Sequence, residues 1–100
     1  MTILLGQTLA TYAISQAMKA KPFYQFVQSA LNRHHSGDWG DCCEEDRKIN
    51  DESAKSGMRI LSVYNIPDTV QSLTQQSNSK IWIITEANRM ATTVLFPSEY

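Results

Sequence analysis

The apolar residues follow a helical period in the first part of the chain and an extended pattern in the last. The clearest helical stripe has spacing i, i+3, i+4, i+7 and i+8 and consists of Phe23, Phe26, Val27, Ala30 and Leu31. Pro22 suits the first helical position, where its missing N–H would have no helical partner. Gly37 suits a left-handed end just beyond the last turn. The pattern therefore predicts a helix from about Pro22 to His35.

Shorter elements are predicted on either side of this helix. A strand is expected near Ile3 to Ala10, and a short helix over Tyr12 to Ala20. A third helix should run from an Asp41 cap to about Lys55, and Gly57 should close it. Glu44 stands three residues after Asp41 and completes a capping-box-like pattern.

After Gly57 the sequence becomes rich in β-branched and aromatic residues. Strands are predicted over Met58 to Ile66, Lys80 to Thr85 and Ala91 to Phe96, the last two joined as a hairpin. The polar segment from Asp68 to Ser79 is expected to be a flexible loop with one helical turn. Consecutive strands without crossover helices predict an α+β fold, with two or three helices on an antiparallel sheet of three to four strands.

Composition and charge narrow the class of protein. The 100 residues fit a single domain, residues 1–100, and 42% apolar content is that of a globular chain. A net charge of −1 argues against nonspecific nucleic-acid binding and against a wholesale DNA mimic. No apolar run could span a membrane, and Met1 to Leu5 is too short for a signal-peptide core. The adjacent Cys42 and Cys43 suggest reduced thiols in a cytoplasmic protein.

The stretch from His34 to Asp46 contains most of the chain's reactive residue types. It holds both histidines, both cysteines and five of the ten acidic residues. A zinc site would use the ligands His34, His35, Cys42 and Cys43, but adjacent helical residues point about 100° apart, so the spacing is poor. No metal or other cofactor is therefore expected.

Two catalytic interpretations and one structural interpretation stay open. A metal-assisted hydrolase would use His34, Asp38 and Asp41. A thiol nucleophile, Cys42 or Cys43, would gain from a helix N-terminus, but the surrounding acids oppose its ionisation. The structural interpretation is that one helix ends and the next begins here, with acids capping the second.

Three blocks of the sequence form a recognisable pattern. The first is Arg33-His34 with Gly37-Asp38-Trp39-Gly40-Asp41, followed by Glu45-Asp46 and Asn50-Asp51, and the second is Gly57 with Arg59 to Tyr64. The third runs from Lys80 to Ala87, through Arg89 and Thr92 to Pro97, to Glu99-Tyr100. Together the blocks resemble a family of small bacterial proteins found on plasmids, phages and other mobile elements, often labelled plasmid-related or restriction-subunit-like.

The resemblance implies a non-enzymatic mobile-element protein that binds and inhibits a host defence complex, of the anti-CRISPR or anti-restriction type. The expected partner is a protein, with no direct nucleic-acid or membrane contact. The candidate binding patch is His34, Asp38, Trp39, Asp41, Glu45, Glu86 and Arg89. The residues also allow a self-associating module or homodimer, because strand edges can pair between copies.

Overall fold

The described part of the chain folds into four helices and a four-stranded sheet. The structure is a computed structural model and describes residues 2–72 and 78–100. The elements in chain order are β1 (Gln7–Ala10), α1 (Tyr12–Ala17), α2 (Lys21–His35), α3 (Glu44–Ser56), β2 (Ile60–Asn65), α4 (Asp68–Gln71), β3 (Lys80–Thr85), β4 (Ala91–Leu95) and a 3₁₀ turn (Pro97–Glu99).

The predicted α+β class is confirmed, whereas the purely antiparallel sheet is wrong in one strand. The strand order is β1-β4-β3-β2. The pairs β2–β3 and β3–β4 are antiparallel, and β1 runs parallel to β4. A short connection forces only the β3–β4 pair to be antiparallel. The segment from β1 to β4 contains the four helices of the described residues, and such a long connection permits parallel pairing.

The main core lies between one face of the sheet and the helices α1 and α2. Helix α2 begins at Lys21, so Pro22 is its second residue and not the first as predicted, and the predicted stripe turns Phe23 and Val27 fully inward. The strand residues of this core are Tyr64, Ile81, Ile83, Val94 and the adjoining Ile66 and Phe96. A second, smaller cluster joins Ile3, Trp39 and Ile60 beside α3.

The long polar segment is only partly covered by the described residues. Its predicted helical turn is α4, Asp68–Gln71. The rest of the predicted flexible loop includes residues 73–77, which lie outside the described residues. Within the described ranges, no helix combines the length and the apolar character required to cross a membrane.

Candidate functional site

The segment Asp38–Asp41 lies along the outer edge of β2 and bonds to it like a short extra strand. The N–H of Val63 donates to the carbonyl of Trp39 at 3.1 Å, and the N–H of Asp41 donates to the carbonyl of Val63 at 2.6 Å. The carboxylate of Asp41 accepts the N–H of Asn65 at 2.9 Å. These bonds occupy edge groups that would otherwise be available to another chain.

Asn50 of α3 covers the remaining position on this edge. Its side-chain amide donates to the carbonyl of Leu61 at 2.7 Å and accepts the N–H of Leu61 at 3.3 Å. Asn50 is only 5% exposed, so its amide is largely sheltered from water. The outward main-chain groups of β2 are therefore bonded by the backbone of the connector, by the carboxylate of Asp41 and by the carboxamide of Asn50. We call Asp38–Asp41 together with Asn50 the edge cap.

Gly40 allows the edge cap to lie this close to the strand. Its φ is +78°, and a Cβ at this position would lie 2.0 Å from the carbonyl oxygen of Val63 and 2.7 Å from the ring of Tyr64. Arg47 fixes the connector from the other side by donating to the carbonyl of Gly40 at 2.9 Å. The hydroxyl of Tyr64 donates to the carbonyl of Asp38 at 2.7 Å. Only glycine fits at position 40 without moving the strand.

The predicted capping role of Asp41 and Glu44 is wrong. Helix α3 begins at Glu44 after Cys43, which makes no side-chain cap bond. Asp41 instead uses its carboxylate for the N–H of Asn65, an edge group with no strand beside it. The acids of the first turn, Glu44, Glu45 and Asp46, still lie at the positive end of the helix and stabilise it by charge alone.

Trp39 is an internal side chain. It is 4% exposed, and its ring stands edge-on to His34 with centroids 5.9 Å apart. Its indole N–H donates to Asp51 of α3 at 2.8 Å. The side chain therefore ties the connector to α3 and to the core, although it was predicted as part of an exposed binding patch. It offers no surface to a partner.

His34 is fully buried and joins a chain of hydrogen bonds that crosses three strands. Its Nδ1 lies 2.5 Å from the hydroxyl of Ser62 on β2, and its Nε2 lies 2.8 Å from the hydroxyl of Thr85 on β3. Thr85 lies 2.7 Å from the hydroxyl of Thr92 on β4. Thr92 donates to the carbonyl of Leu5 at 2.7 Å.

The carbonyl of Leu5 fixes the direction of each bond from Thr92 back to Nε2 of His34. A carbonyl can only accept, so the single hydroxyl proton of Thr92 is used there. Thr85 must then donate to Thr92, and the Nε2–H of His34 must donate to Thr85. The network thus requires a proton on Nε2 of His34, and in the neutral imidazole Nδ1 then accepts from the hydroxyl of Ser62.

Burial holds His34 in this neutral form. Desolvation, assisted by the nearby His35 and Arg89, lowers the pKa of His34 from its ordinary value of 6.5 to about 4. The single proton of the neutral ring is on Nε2, which leaves Nδ1 to accept from Ser62. Both ring nitrogens are occupied and no solvent reaches them, so His34 is a structural group in this arrangement.

Glu86 and Arg89 lie at the β3–β4 hairpin, as predicted, but Arg89 bonds inward. Its backbone has φ +59°, and its guanidinium donates to the carbonyls of Met58 at 2.8 Å and of Ser53 at 3.0 Å. Arg89 therefore fastens the hairpin to the end of α3. Glu86 is exposed and lies 3.9 Å from Arg59.

The side chains considered for catalysis and metal binding do not converge. Asp38 pairs with Arg33 at 2.8 Å, which lowers the pKa of Asp38 and raises that of Arg33. Asp41 and His34 are occupied separately at the β2 edge and in the core. Across residues 2–72 and 78–100, no three histidine, cysteine or acidic side chains form a group that could hold a metal ion.

The two thiols are unpaired and differ in their surroundings. Cys43 is exposed, and Cys42 is partly buried beside the carbonyl of Trp39, 3.6 Å from its sulfur. Burial raises the pKa of the Cys42 thiol. A raised pKa disfavours the thiolate that a nucleophilic mechanism requires.

What the edge cap and α3 do present to solvent is a high density of exposed carboxylates along one stretch of the chain. Seven of the ten acidic residues fall between positions 38 and 52, against two basic residues, Arg47 and Lys48. All seven side chains are exposed: Asp38, Asp41, Glu44, Glu45, Asp46, Asp51 and Glu52. We call this set the acidic face. Three members of the predicted patch, Asp38, Asp41 and Glu45, belong to it.

Sequence reasoning missed the residues that hold this region together. Ser62, Thr85 and Thr92 are fully buried hydroxyls that bind His34 or one another. Isolated Ser and Thr in apolar strands are the signal that could have indicated an internal polar partner. Asn50 gave no such signal, because the inner side of α3 has few apolar residues to mark it as buried.

The chain matches no protein-family profile, no curated protein and no solved structure. The likeness of its three sequence blocks to mobile-element proteins stays a prediction.

Proposed function

We propose that this protein is a non-enzymatic inhibitor that binds a bacterial defence complex of the CRISPR–Cas or restriction type. The observation that carries the proposal is the acidic face, seven exposed carboxylates within fifteen positions of a chain whose net charge is only −1. The resemblance to mobile-element proteins supplies the class of partner, and the acidic face supplies the chemistry of contact.

Defence complexes must hold nucleic acid, and they do so with basic grooves that neutralise phosphates. A surface that offers carboxylates in place of phosphates is complementary to such a groove. Glu45, Asp46 and Glu52 suit this role best, because they make no ion pair within the described part of the chain. Charge complementarity of this kind raises the association rate and selects the partner.

The hydrogen bonds that hold the acidic residues in place support binding by a rigid surface. Asp51 holds the indole of Trp39, and Asp38 is fixed by Arg33 and by the N–H of Gly40 at 3.1 Å. The edge cap fixes the same region to β2. A surface that is already ordered loses less conformational entropy on binding than a loop would.

The first test is protection in cells. Bacteria carrying one defined restriction or CRISPR–Cas system would express the protein and then be challenged with a targeted phage or plasmid. Phage plaquing or plasmid establishment should rise by orders of magnitude with the system that is the target. Purified protein should bind that complex and compete with its nucleic acid, more weakly as salt concentration rises.

A charge-neutral variant tests whether the acidic face makes the contact. The triple change Glu45→Gln, Asp46→Asn and Glu52→Gln keeps the size of each side chain and removes three charges from exposed positions. Protection and competition should fall at least about tenfold, the equivalent of 1.4 kcal/mol. The matched control is Asp68→Asn, an exposed acid on α4, which should leave both unchanged.

Two results would refute the proposal. One is the absence of protection against every restriction and CRISPR–Cas system tested, with no binding to the purified complexes. The other is full protection by the triple variant, which would place the contact away from the acidic face.

A further inference from the structure

We infer that β1 is a self-association edge, which pairs antiparallel with β1 of a second copy to form one continuous eight-stranded sheet. This inference does not depend on the proposed function, because it concerns the opposite end of the sheet. In the order β1-β4-β3-β2, the edge cap and α3 lie at β2, and β1 is the other outer strand.

The outer edge of β1 has main-chain groups without partners. Gln7 donates to the carbonyl of Met90, and Thr11 donates to that of Val94, so the odd-numbered residues face β4. Thr8 and Ala10 must then point their N–H and carbonyl groups away from β4. Within residues 2–72 and 78–100, no group bonds to the main chain of either one. Both residues are exposed.

Apart from the shortness of β1, which has four residues, this edge lacks the usual devices that prevent pairing. Natural edges are protected by short length, lysine, proline, bulges or a covering segment. Residues 2–18 contain no charged residue and no proline, and the first charge in the chain is Lys19. Three large apolar side chains along this part of the chain are exposed, namely Leu4 at 75%, Leu9 at 41% and Tyr12 at 78%.

The absence of charge favours a second copy as the occupant. A charged foreign strand would find no complementary charge here, whereas an identical strand meets no like-charge repulsion. Thr8 and Ala10 set the register, because each exchanges its two main-chain bonds with the other across a two-fold axis. That arrangement forms about four main-chain hydrogen bonds and puts Leu9 opposite Leu9 of the second copy.

The same register brings a second apolar contact to the interface. Tyr12, the first residue of α1, lies just beyond the end of β1 that meets the Gly6 end of the other copy. Gly6 borders an open groove between the start of β1 and α2, with walls that include Leu4, Leu5 and Leu31. A tyrosine ring in this groove would cover apolar surface that is otherwise exposed. Both acidic faces stay free, at the two ends of the joined sheet.

The test is sedimentation of the full chain over a range of concentrations, with variants at the two-fold axis. Wild-type protein should show a concentration-dependent monomer–dimer equilibrium. Leu9→Lys should be monomeric, because it puts two like charges directly opposite each other. Leu9→Glu should be monomeric for the same reason. Tyr24→Lys, at an exposed apolar residue of α2, is the matched control and should dimerise like wild type.

Mixing the two charged variants tests the register itself. An equimolar mixture of Leu9→Lys and Leu9→Glu should recover the dimer, because opposite charges then meet at the axis. A mixture that stays monomeric would overturn the proposed pairing, and circular dichroism on each variant verifies that it is folded. Monomeric wild-type protein at all concentrations, or a dimer that Leu9→Lys leaves intact, would overturn the inference.

Discussion

The two outer strands of the sheet differ in whether their outward main-chain N–H and carbonyl groups have hydrogen-bond partners. At β2, the outward main-chain groups of Leu61 and Val63 and the N–H of Asn65 are bonded by the edge cap. At β1, the outward groups of Thr8 and Ala10 have no partner in the described part of the chain. The difference shows that the edge of β2 is bonded by other parts of the same chain, whereas the edge of β1 keeps main-chain groups available to another chain.

The contrast also gives the segment Gly37-Asp38-Trp39-Gly40-Asp41 a physical role. Its residues supply a close-fitting glycine, a buried indole and a carboxylate acceptor at one strand edge. The acidic face consists of exposed side chains of the edge cap and of the neighbouring α3. The predictions below test the closed edge and the core behind it first and the open edge last, from the largest expected effect to the smallest.

Gly40→Ala should cause the largest loss of stability. Its Cβ would overlap the carbonyl of Val63, and its positive φ adds about 1–2 kcal/mol. Two main-chain bonds to Val63 would also weaken, at about 1 kcal/mol each. We expect a total loss of about 3–5 kcal/mol in the free energy of unfolding, measured by urea denaturation.

Gly57→Ala is the matched control for this change. Gly57 has the same φ of +78° but no atom within 4 Å of the added Cβ. It should therefore lose only the conformational part, about 1–2 kcal/mol. Equal losses at the two glycines would mean that the tight fit of Gly40 against β2 contributes nothing.

His34→Leu should cost about 2–4 kcal/mol, because it leaves the buried donor of Ser62 and the acceptor of Thr85 unbonded. His34→Gln is the informative comparison. Its amide oxygen can accept from Ser62 and its N–H can donate to Thr85, which keeps the direction of the network. If Gln destabilises as much as Leu, the assigned direction of these bonds is wrong.

The pH dependence of stability tests the same residue. The folded pKa of His34, about 4, lies below its ordinary value of 6.5, so the unfolded chain binds the proton more tightly. The stability is therefore full above about pH 6.5 and falls as the pH decreases toward 4, by about 3 kcal/mol for this group. Urea denaturation between pH 7 and 4.5 should show a flatter profile for His34→Gln than for wild type.

The sequence allowed the elements to be predicted better than their contacts. Helix α2 follows from its apolar stripe, and β3 was predicted at its observed bounds, Lys80–Thr85. The parallel direction of β1 could not be predicted, because a side-chain pattern does not specify which strand is its neighbour.

The candidate site was harder to predict because its contacts join distant parts of the chain. His34 occupies a helix end where an exposed, charge-complementing role is common. Its burial depends on hydroxyls 28 and 51 residues away. Asp41 looked like a helix cap for the same reason, since the competing N–H of Asn65 lies 24 residues further on.

Asn50→Ala should give an intermediate effect at the closed edge. It removes both bonds to Leu61 and leaves two main-chain groups at the edge without a protein partner. We expect a loss of about 1–2 kcal/mol, since water can reach part of the opened edge. Hydrogen exchange at the amide of Leu61 should accelerate, while the amide of Ile83, inside the sheet, should stay protected.

Thr8→Lys should have the smallest effect on the monomer and so completes the comparison of the two edges. The side chain of Thr8 is exposed and its main-chain N–H has no partner in the described residues. Dilute protein should therefore lose no more than about 0.5 kcal/mol in urea denaturation. At high concentration the same lysine should weaken the dimer, because pairing would crowd two added charges along the shared edge. A loss as large as that of Asn50→Ala in dilute protein would mean that β1 already has an internal partner, and the contrast between an open and a closed edge would fail.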